Sequence, residues 1–169
     1  NRMGIGDMVI FLPFIEAISK KFNKPVTLLV KESSKAVQFL KDNKTIDQII
    51  ILDRGNKTKD GSHDGIIGSY NLTQDLKKYN FDKIFIFNSS FRFNLIARIA
   101  GIKDIYQYPL FQKKNQHIIN AAKKFLKKEL NIVVESDPKI LVDDKLIKNS
   151  KIKYKIKDHE INILLGVGG

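Results

Sequence analysis

Arg2-Met3-Gly4-Ile5-Gly6-Asp7-Met8-Val9, running on through Ile10-Phe11-Leu12-Pro13, decides the fold of this chain. Two glycines two apart, an acid, then an apolar run describe a tight turn that feeds a helix. Glycine permits φ > 0 and lets another backbone or a ligand approach closely. A carboxylate at a helix start has two uses. It can cap orphan N–H groups at the positive end of the helix dipole, worth about 1 kcal/mol. It can instead face a cleft and take a proton. Spacing alone favours the cap. The stretch lacks the third glycine of a dinucleotide fingerprint, so a nicotinamide-cofactor reading is weak.

Downstream, apolar helix faces alternate with short buried strands. Met8, Val9, Leu12, Ile15, Ala17 and Ile18 fit a helix packed on a sheet, with Pro13 kinking it or making its first turn irregular. Asn23-Lys24-Pro25 ends it. Strands are predicted over 26–30, 47–52, 83–87 and 104–108. A second helix opens at Glu32-Ser33-Ser34, with Ala36, Val37 and Leu40 inward. Further helices are predicted over 66–78, 91–100 (closed by Gly101), 117–130 and 143–149. Residues 53–65 make one long polar loop, and such loops inside compact domains are usually functional or mobile. This alternation predicts an α/β fold: a Rossmann-like parallel sheet flanked by helices, with right-handed crossovers.

The 169 residues allow one sizeable core and not comfortably two. At 43% hydrophobic residues the chain reads as globular. No apolar run approaches the roughly 20 residues of a membrane span. There is no Cys, which excludes disulfides and thiolate metal sites. The net charge of +12 comes from 26 Lys and only 4 Arg. Because phosphate and base recognition lean on Arg forks, no nucleic-acid partner is expected, and a Lys-, Ile- and Asn-rich composition accounts for the charge. His63, His117 and His159 share no ligand spacing, so no metal site is expected. A nucleophile elbow, Gly-x-Ser-x-Gly, does not occur, which speaks against an α/β hydrolase.

Both ends read as cut. Asn1 stands where Met is usual, and the glycine turn ordinarily follows a strand. At the other end Ile161-Asn162-Ile163-Leu164-Leu165 reads as a buried strand and Gly166-Val167-Gly168-Gly169 as the turn after it. The expected division is one domain over 1–157, then a linker with the first strand and turn of another over 158–169.

Taken in order, these motifs resemble glycosyltransferase family 9, the lipopolysaccharide heptosyltransferase family. The opening Gly4-Ile5-Gly6-Asp7 with its apolar run to Leu12-Pro13 is similar to that family's start. Ile46-Asp47-Gln48-Ile49-Ile50-Ile51 resembles its third strand, and Tyr79-Asn80-Phe81-Asp82-Lys83-Ile84 the approach to its fourth. Ser89-Ser90-Phe91-Arg92 followed by Ala97-Arg98-Ile99-Ala100-Gly101 resembles its next helix. Asn88-Ser89 departs from a frequent Gln-Gly pair, and Val167 stands where Pro is usual.

The resemblance implies the N-terminal, acceptor-binding half of a two-domain GT-B fold, with 158–169 opening the donor half. It implies inverting transfer of a sugar from a nucleoside diphosphate, ADP-heptose in characterised members, to a lipopolysaccharide core or related anionic glycolipid. No metal or separate cofactor is implied, and the sequence has no Asp-x-Asp pair of the metal-dependent GT-A kind. Asp7 would be the general base. Gly4, Gly6, Arg54, Lys57, Ser89, Ser90 and Arg92 would bind the acceptor, and Gly166, Gly168 and Gly169 the donor. The setting would be cytoplasmic. Lys123, Lys124, Lys127 and Lys128 on one helix face offer peripheral contact with the inner membrane, though such a face is more often merely solvated. The alternative is a non-catalytic Rossmann-like module that binds an anionic ligand.

Overall fold

The glycine–acid stretch opens a helix directly. In the computed structural model, which describes residues 4–55, 59–109, 117–140, 142–161 and 163, α1 (Ile5–Phe22) starts one residue after Gly4, so Gly6 and Asp7 lie in its first turn. Met8, Phe11, Leu12, Phe14, Ile15 and Ile18 form its buried face. Pro13 sits inside the helix, where it forgoes one backbone hydrogen bond. Asn23 ends α1 in the left-handed region, at φ 49°.

β1 (Val26–Val30) leads through a 3-10 turn at Glu32–Ser34 and α2 (Ala36–Phe39) to β2 (Ile46–Ile51). β1 and β2 pair in parallel, with Leu28 opposite Ile49 and Val30 opposite Ile51. α3 (Gly65–Lys77), β3 (Lys83–Ile86), α4 (Phe91–Ile99) and β4 (Asp104–Gln107) follow. β3 and β4 also pair in parallel, Ile84 with Ile105. α5 (Ile118–Leu130) completes this unit, which spans Asn1–Lys139. The second compact unit, Ile140–Gly169, contains α6 (Asp144–Lys153), whose first turn is capped by Asp143, Oδ1 accepting from Lys145 N–H at 2.6 Å.

The parallel strands make two two-stranded sheets among the described residues, β1–β2 and β3–β4. Shared helices tie them into one architecture. On one face Leu28 and Val30 of β1 join α1, Ala36 and Leu40 at α2, and Ala122, Phe125 and Leu126 of α5 in a single core. Phe11 meets Phe87 edge-on, with ring centroids 5.1 Å apart, and Phe22 lies 5.9 Å from Phe85. α1 therefore runs antiparallel to β3, and its N-terminus lies at the carboxyl edge of the strands. The other face is covered by α3 and α4: Leu72, Leu76 and Ile96 pack with Leu29 and Leu52, and Ile86 packs with Ala97 and Ile102.

Val37, expected inward, is half exposed. The reason is length: α2 has only four residues, a single turn, which buries Ala36 and leaves its neighbour outside. The lysine face of α5 is exposed as expected, with Ala122, Phe125 and Leu126 on the opposite side. Ile161 and Ile163 are exposed and belong to no strand. The rest of that expected strand, Asn162, Leu164 and Leu165, lies outside the described residues. No helix among the described residues is long and apolar enough to cross a membrane.

Candidate functional site

Asp7 is the third residue of α1, and its carboxylate reaches back to the helix start. Gly4 N–H donates to Asp7 Oδ2 at 3.0 Å, the backward half of a capping box. The cap is thus made. The same geometry leaves the half-buried carboxylate at the carboxyl edge of the strands, where α/β folds bind ligands. Gly4 holds an extended backbone (φ −101°), and Gly6 is helical, so neither residue uses the positive φ that glycine permits. A Cβ at either position would meet nothing within 4 Å. What the glycines provide is room above the first turn.

That room makes a prediction. Gly6→Ala is expected to raise the stability of the chain by about 0.5–1 kcal/mol, because alanine loses less conformational freedom in a helix. A higher Tm is the expected result. A lowered Tm would show that the first turn is not the regular helix described.

The 53–64 loop joins β2 to α3 at the same edge, and a polar network crosslinks it. Asp53 N–H donates to His63 Nδ1 at 3.0 Å, and His63 Nε2 lies 3.1 Å from Asp75 Oδ2 of α3. With Nδ1 accepting, the ring proton is on Nε2 and is donated to Asp75. Asp64 accepts from Gly55 and Gly61 N–H and pairs with the Arg54 guanidinium. Asp53 Oδ2 accepts from Ser62 N–H at 2.8 Å. Arg92 of α4 donates from Nε to Ser69 Oγ at 2.9 Å, and from Nη2 to the His63 carbonyl. Burial, and after it the neighbouring Arg54 charge, lowers the Arg92 pKa.

The backbone N–H groups of Gly55 and then Gly61, with Arg54 adding to them, hold the Asp64 carboxyl at about 2, below its ordinary 3.8. Ser62 lowers Asp53 in the same direction. A depressed folded-state pKa stabilises the loop at pH above the ordinary carboxylate value, and the stabilisation is lost as pH falls through the folded value. The Gly55 and Gly61 amide resonances should therefore hold steady from neutrality to near pH 3.8 and shift as pH falls towards 2. Resonances that stay constant to pH 2 would contradict the assigned bonds.

The third segment at this edge is the 88–90 turn. Asn88 Oδ1 accepts from Ser90 N–H at 2.7 Å. Gln107, at the end of β4, donates from one amide nitrogen to both the Asn88 and the Ser90 carbonyls, at 2.9 and 2.8 Å. Ser90 occupies the N-cap position of α4, but its hydroxyl makes no capping bond. Gln107 Oε1 and Tyr108 Oη are buried with no hydrogen-bond partner among the described residues. Burial pushes the Tyr108 hydroxyl well above its ordinary pKa.

Of the residues singled out from sequence, the fold brings Gly4, Gly6, Asp7, Arg54, Ser89, Ser90 and Arg92 to the carboxyl edge of the strands. Arg54 and Arg92 already hold protein partners there. Lys57, Gly166, Gly168 and Gly169 lie outside the described residues. Asp53, His63, Asp64 and Gln107 carry roles that sequence reading did not assign. Asp53 meets Ser62 and His63, and Asp64 meets Gly55 and Arg54, across nine or ten residues of polar loop, and no local pattern marks these partners. Among the described residues no three His, Asp or Glu side chains group so as to hold a metal ion.

A glycosyl transferase family 9 crystal structure from Veillonella parvula superposes on this chain with a TM-score of 0.67. The two share a fold. Identity is 16%, and the likeness covers 95% of this chain and 49% of that one, so the chain spans about half the length of the neighbour. No family model and no curated protein matches the sequence. Short parallel sheets flanked by helices, superposed on half of such a protein, make the fold α/β of the GT-B half type.

Proposed function

We propose that this chain is the acceptor-side half of an inverting glycosyltransferase. The observation that carries the reading is Asp7: a carboxylate fixed in the first turn of α1, at the ligand-binding edge of the sheet, below the open space left by Gly4 and Gly6. The fold likeness to a family 9 glycosyl transferase supports the same class. Asp7 Oδ1 or Oδ2 takes the proton of an acceptor hydroxyl as its oxygen attacks the anomeric carbon. The carbon–oxygen bond to the nucleoside diphosphate breaks on the opposite face, which inverts the centre. No metal is needed for the proton transfer itself.

The donor is a sugar nucleotide, ADP-heptose in the first instance, and the acceptor a lipopolysaccharide core or related anionic glycolipid. Arg54, Lys57 and Arg92 supply positive charge on the acceptor side, with Ser89 and Ser90 as hydroxyl partners. Gly166, Gly168 and Gly169 open the donor side, where backbone N–H groups can approach a diphosphate. The test is acceptor-dependent ADP release from ADP-heptose by the full-length gene product. Release that requires acceptor supports the reading. If a folded protein gives no release with any of a panel of sugar nucleotides, the reading fails. One observation favours the second reading, a binding module without chemistry: the Gly4 N–H bond already gives Asp7 a structural use.

A further inference from the structure

We infer that Gln107 is a positioning residue: its amide sets the 88–90 turn, and through that turn the affinity for acceptor. The amide donates from Nε2 to the Asn88 carbonyl at 2.9 Å and to the Ser90 carbonyl at 2.8 Å. Two carbonyl oxygens that converge on one nitrogen repel each other, and a primary amide offers two N–H groups from that nitrogen, one for each. The contact also fixes which way the amide faces, since the flipped group would set Oε1 against both carbonyls. The partners are 19 and 17 residues away in sequence but adjacent in the sheet. Gln107 stands opposite Ile86, the last residue of β3, and the Tyr108 N–H continues the ladder to the Ile86 carbonyl at 3.1 Å. Both of its neighbours pack on aromatic rings: Tyr106 stacks on Phe85 at 4.8 Å, and Tyr108 meets Phe125 edge-on at 5.0 Å. Side chains alternate along a strand, so Gln107 leaves the sheet on the other face, the one that α4 covers. The clamp is thus anchored in a paired strand with its backbone held on either side.

Stability does not account for this clamp. Asn88 and Ser90 are exposed, so water could serve both carbonyls. Gln107 Oε1, meanwhile, is buried and finds no donor among the described residues, an arrangement that costs stability rather than adding it. What the amide supplies and water does not is a fixed place for the turn. The Ser90 N–H is held by Asn88 Oδ1 at 2.7 Å, so the backbone of the turn is tied both from within and from β4. The Ser90 hydroxyl is not spent on the helix: Ser90 is the N-cap residue of α4, yet its side chain makes no capping bond, and the residue is exposed at the carboxyl edge of the strands. A turn fixed at three backbone groups, with its hydroxyl kept out of the cap, has the form of a support that presents that hydroxyl to a ligand. The inference rests on the transferase reading in one respect, that the ligand meeting Ser89 and Ser90 is the acceptor.

The experiment compares the full-length protein with its Gln107→Met and Gln107→Glu variants. Acceptor binding is measured by calorimetry with a detergent-dispersed lipid A–inner core glycolipid, and turnover with the same glycolipid and ADP-heptose. Gln107→Met removes the two donors and the unpartnered acceptor together, so its Tm should stay within about 2 °C of wild type. Its acceptor Kd and KM should rise about tenfold, with kcat and donor KM within about twofold of wild type. Gln107→Glu sets a carboxylate against two carbonyls and should bind acceptor more weakly still at neutral pH. Its deficit relative to wild type should narrow as pH falls towards about 5, because a protonated carboxyl regains one O–H donor. The proposal is overturned if Gln107→Met binds acceptor like wild type, or if the Gln107→Glu deficit holds or widens on acidification. It is also overturned if acceptor Kd, kcat and donor KM all worsen together with a lowered Tm, the pattern of a merely structural residue. Wild type that binds the glycolipid but transfers no sugar counts against the transferase reading alone, and the binding comparison still decides the role of Gln107. Wild type that transfers sugar while Gln107→Met keeps its acceptor Kd and KM counts against Gln107 alone. Wild type that binds no glycolipid overturns both.

Discussion

Asp7→Asn is expected to lower kcat for sugar transfer by about 10²–10⁴-fold, the usual contribution of a positioned general base. The substitution separates the two uses of the carboxylate. Asparagine keeps a carbonyl oxygen where Asp7 Oδ2 accepts from Gly4 N–H, so the backward half of the capping box survives. What it loses is the ability to take a proton. The Tm of Asp7→Asn should therefore stay close to that of wild type, and acceptor affinity, measured calorimetrically, should change little. Asp7→Ala removes both functions, so it should lose transfer and also about 1 kcal/mol of stability. If Asp7 were only a cap, Asp7→Asn would retain most of its turnover, and Asp7→Ala would show the stability loss alone. Retained turnover in Asp7→Asn would sink the general-base assignment.

The long helix at the start was legible because its buried face is dense. Met8, Phe11, Leu12, Ile15 and Ile18 repeat at a spacing only a helix satisfies, and Pro13 does not outweigh them. The turn expected at Gly4-Ile5-Gly6 became helix because nothing there demands a special φ. Glycine pairs signal turns through conformational freedom, and here the freedom is unused. β1 and β3 were readable as continuous apolar runs, but their grouping into two sheets depends on which strand lies beside which, and no local pattern encodes that. The 53–64 loop was visible as long and polar, yet its order was not. Most of its bonds link residues 9 to 29 positions apart, as in Gly55 with Asp64 and Arg92 with His63. For the same reason the Gln107 amide, 17 residues from the Ser90 carbonyl it holds, carried no signal.

Gly68→Ala is expected to act opposite to Gly6→Ala although both lie in helices. In an isolated helix either change would add stability, since alanine is the better helix former. At Gly68, however, a Cβ would stand 2.7 Å from the His63 Cα and 2.8 Å from its carbonyl oxygen. These are backbone atoms, which cannot rotate aside. Either α3 or the loop must move. Moving the loop disturbs the Asp53 N–H bond to the His63 ring, the His63–Asp75 pair and the Arg92 bond to the His63 carbonyl. Overpacking of this sort costs about 1–3 kcal/mol, and the coupled bonds place Gly68→Ala at the upper end. At roughly 2–4 °C per kcal/mol for a domain of this size, Tm should fall by about 6–12 °C. The His63 ring proton provides a second readout, because its resonance should lose the signature of a hydrogen bond to Asp75. A Tm that rises in both glycine variants would mean that α3 does not approach the loop as described. The strut joining β2, α3 and α4 would then have to be reassigned.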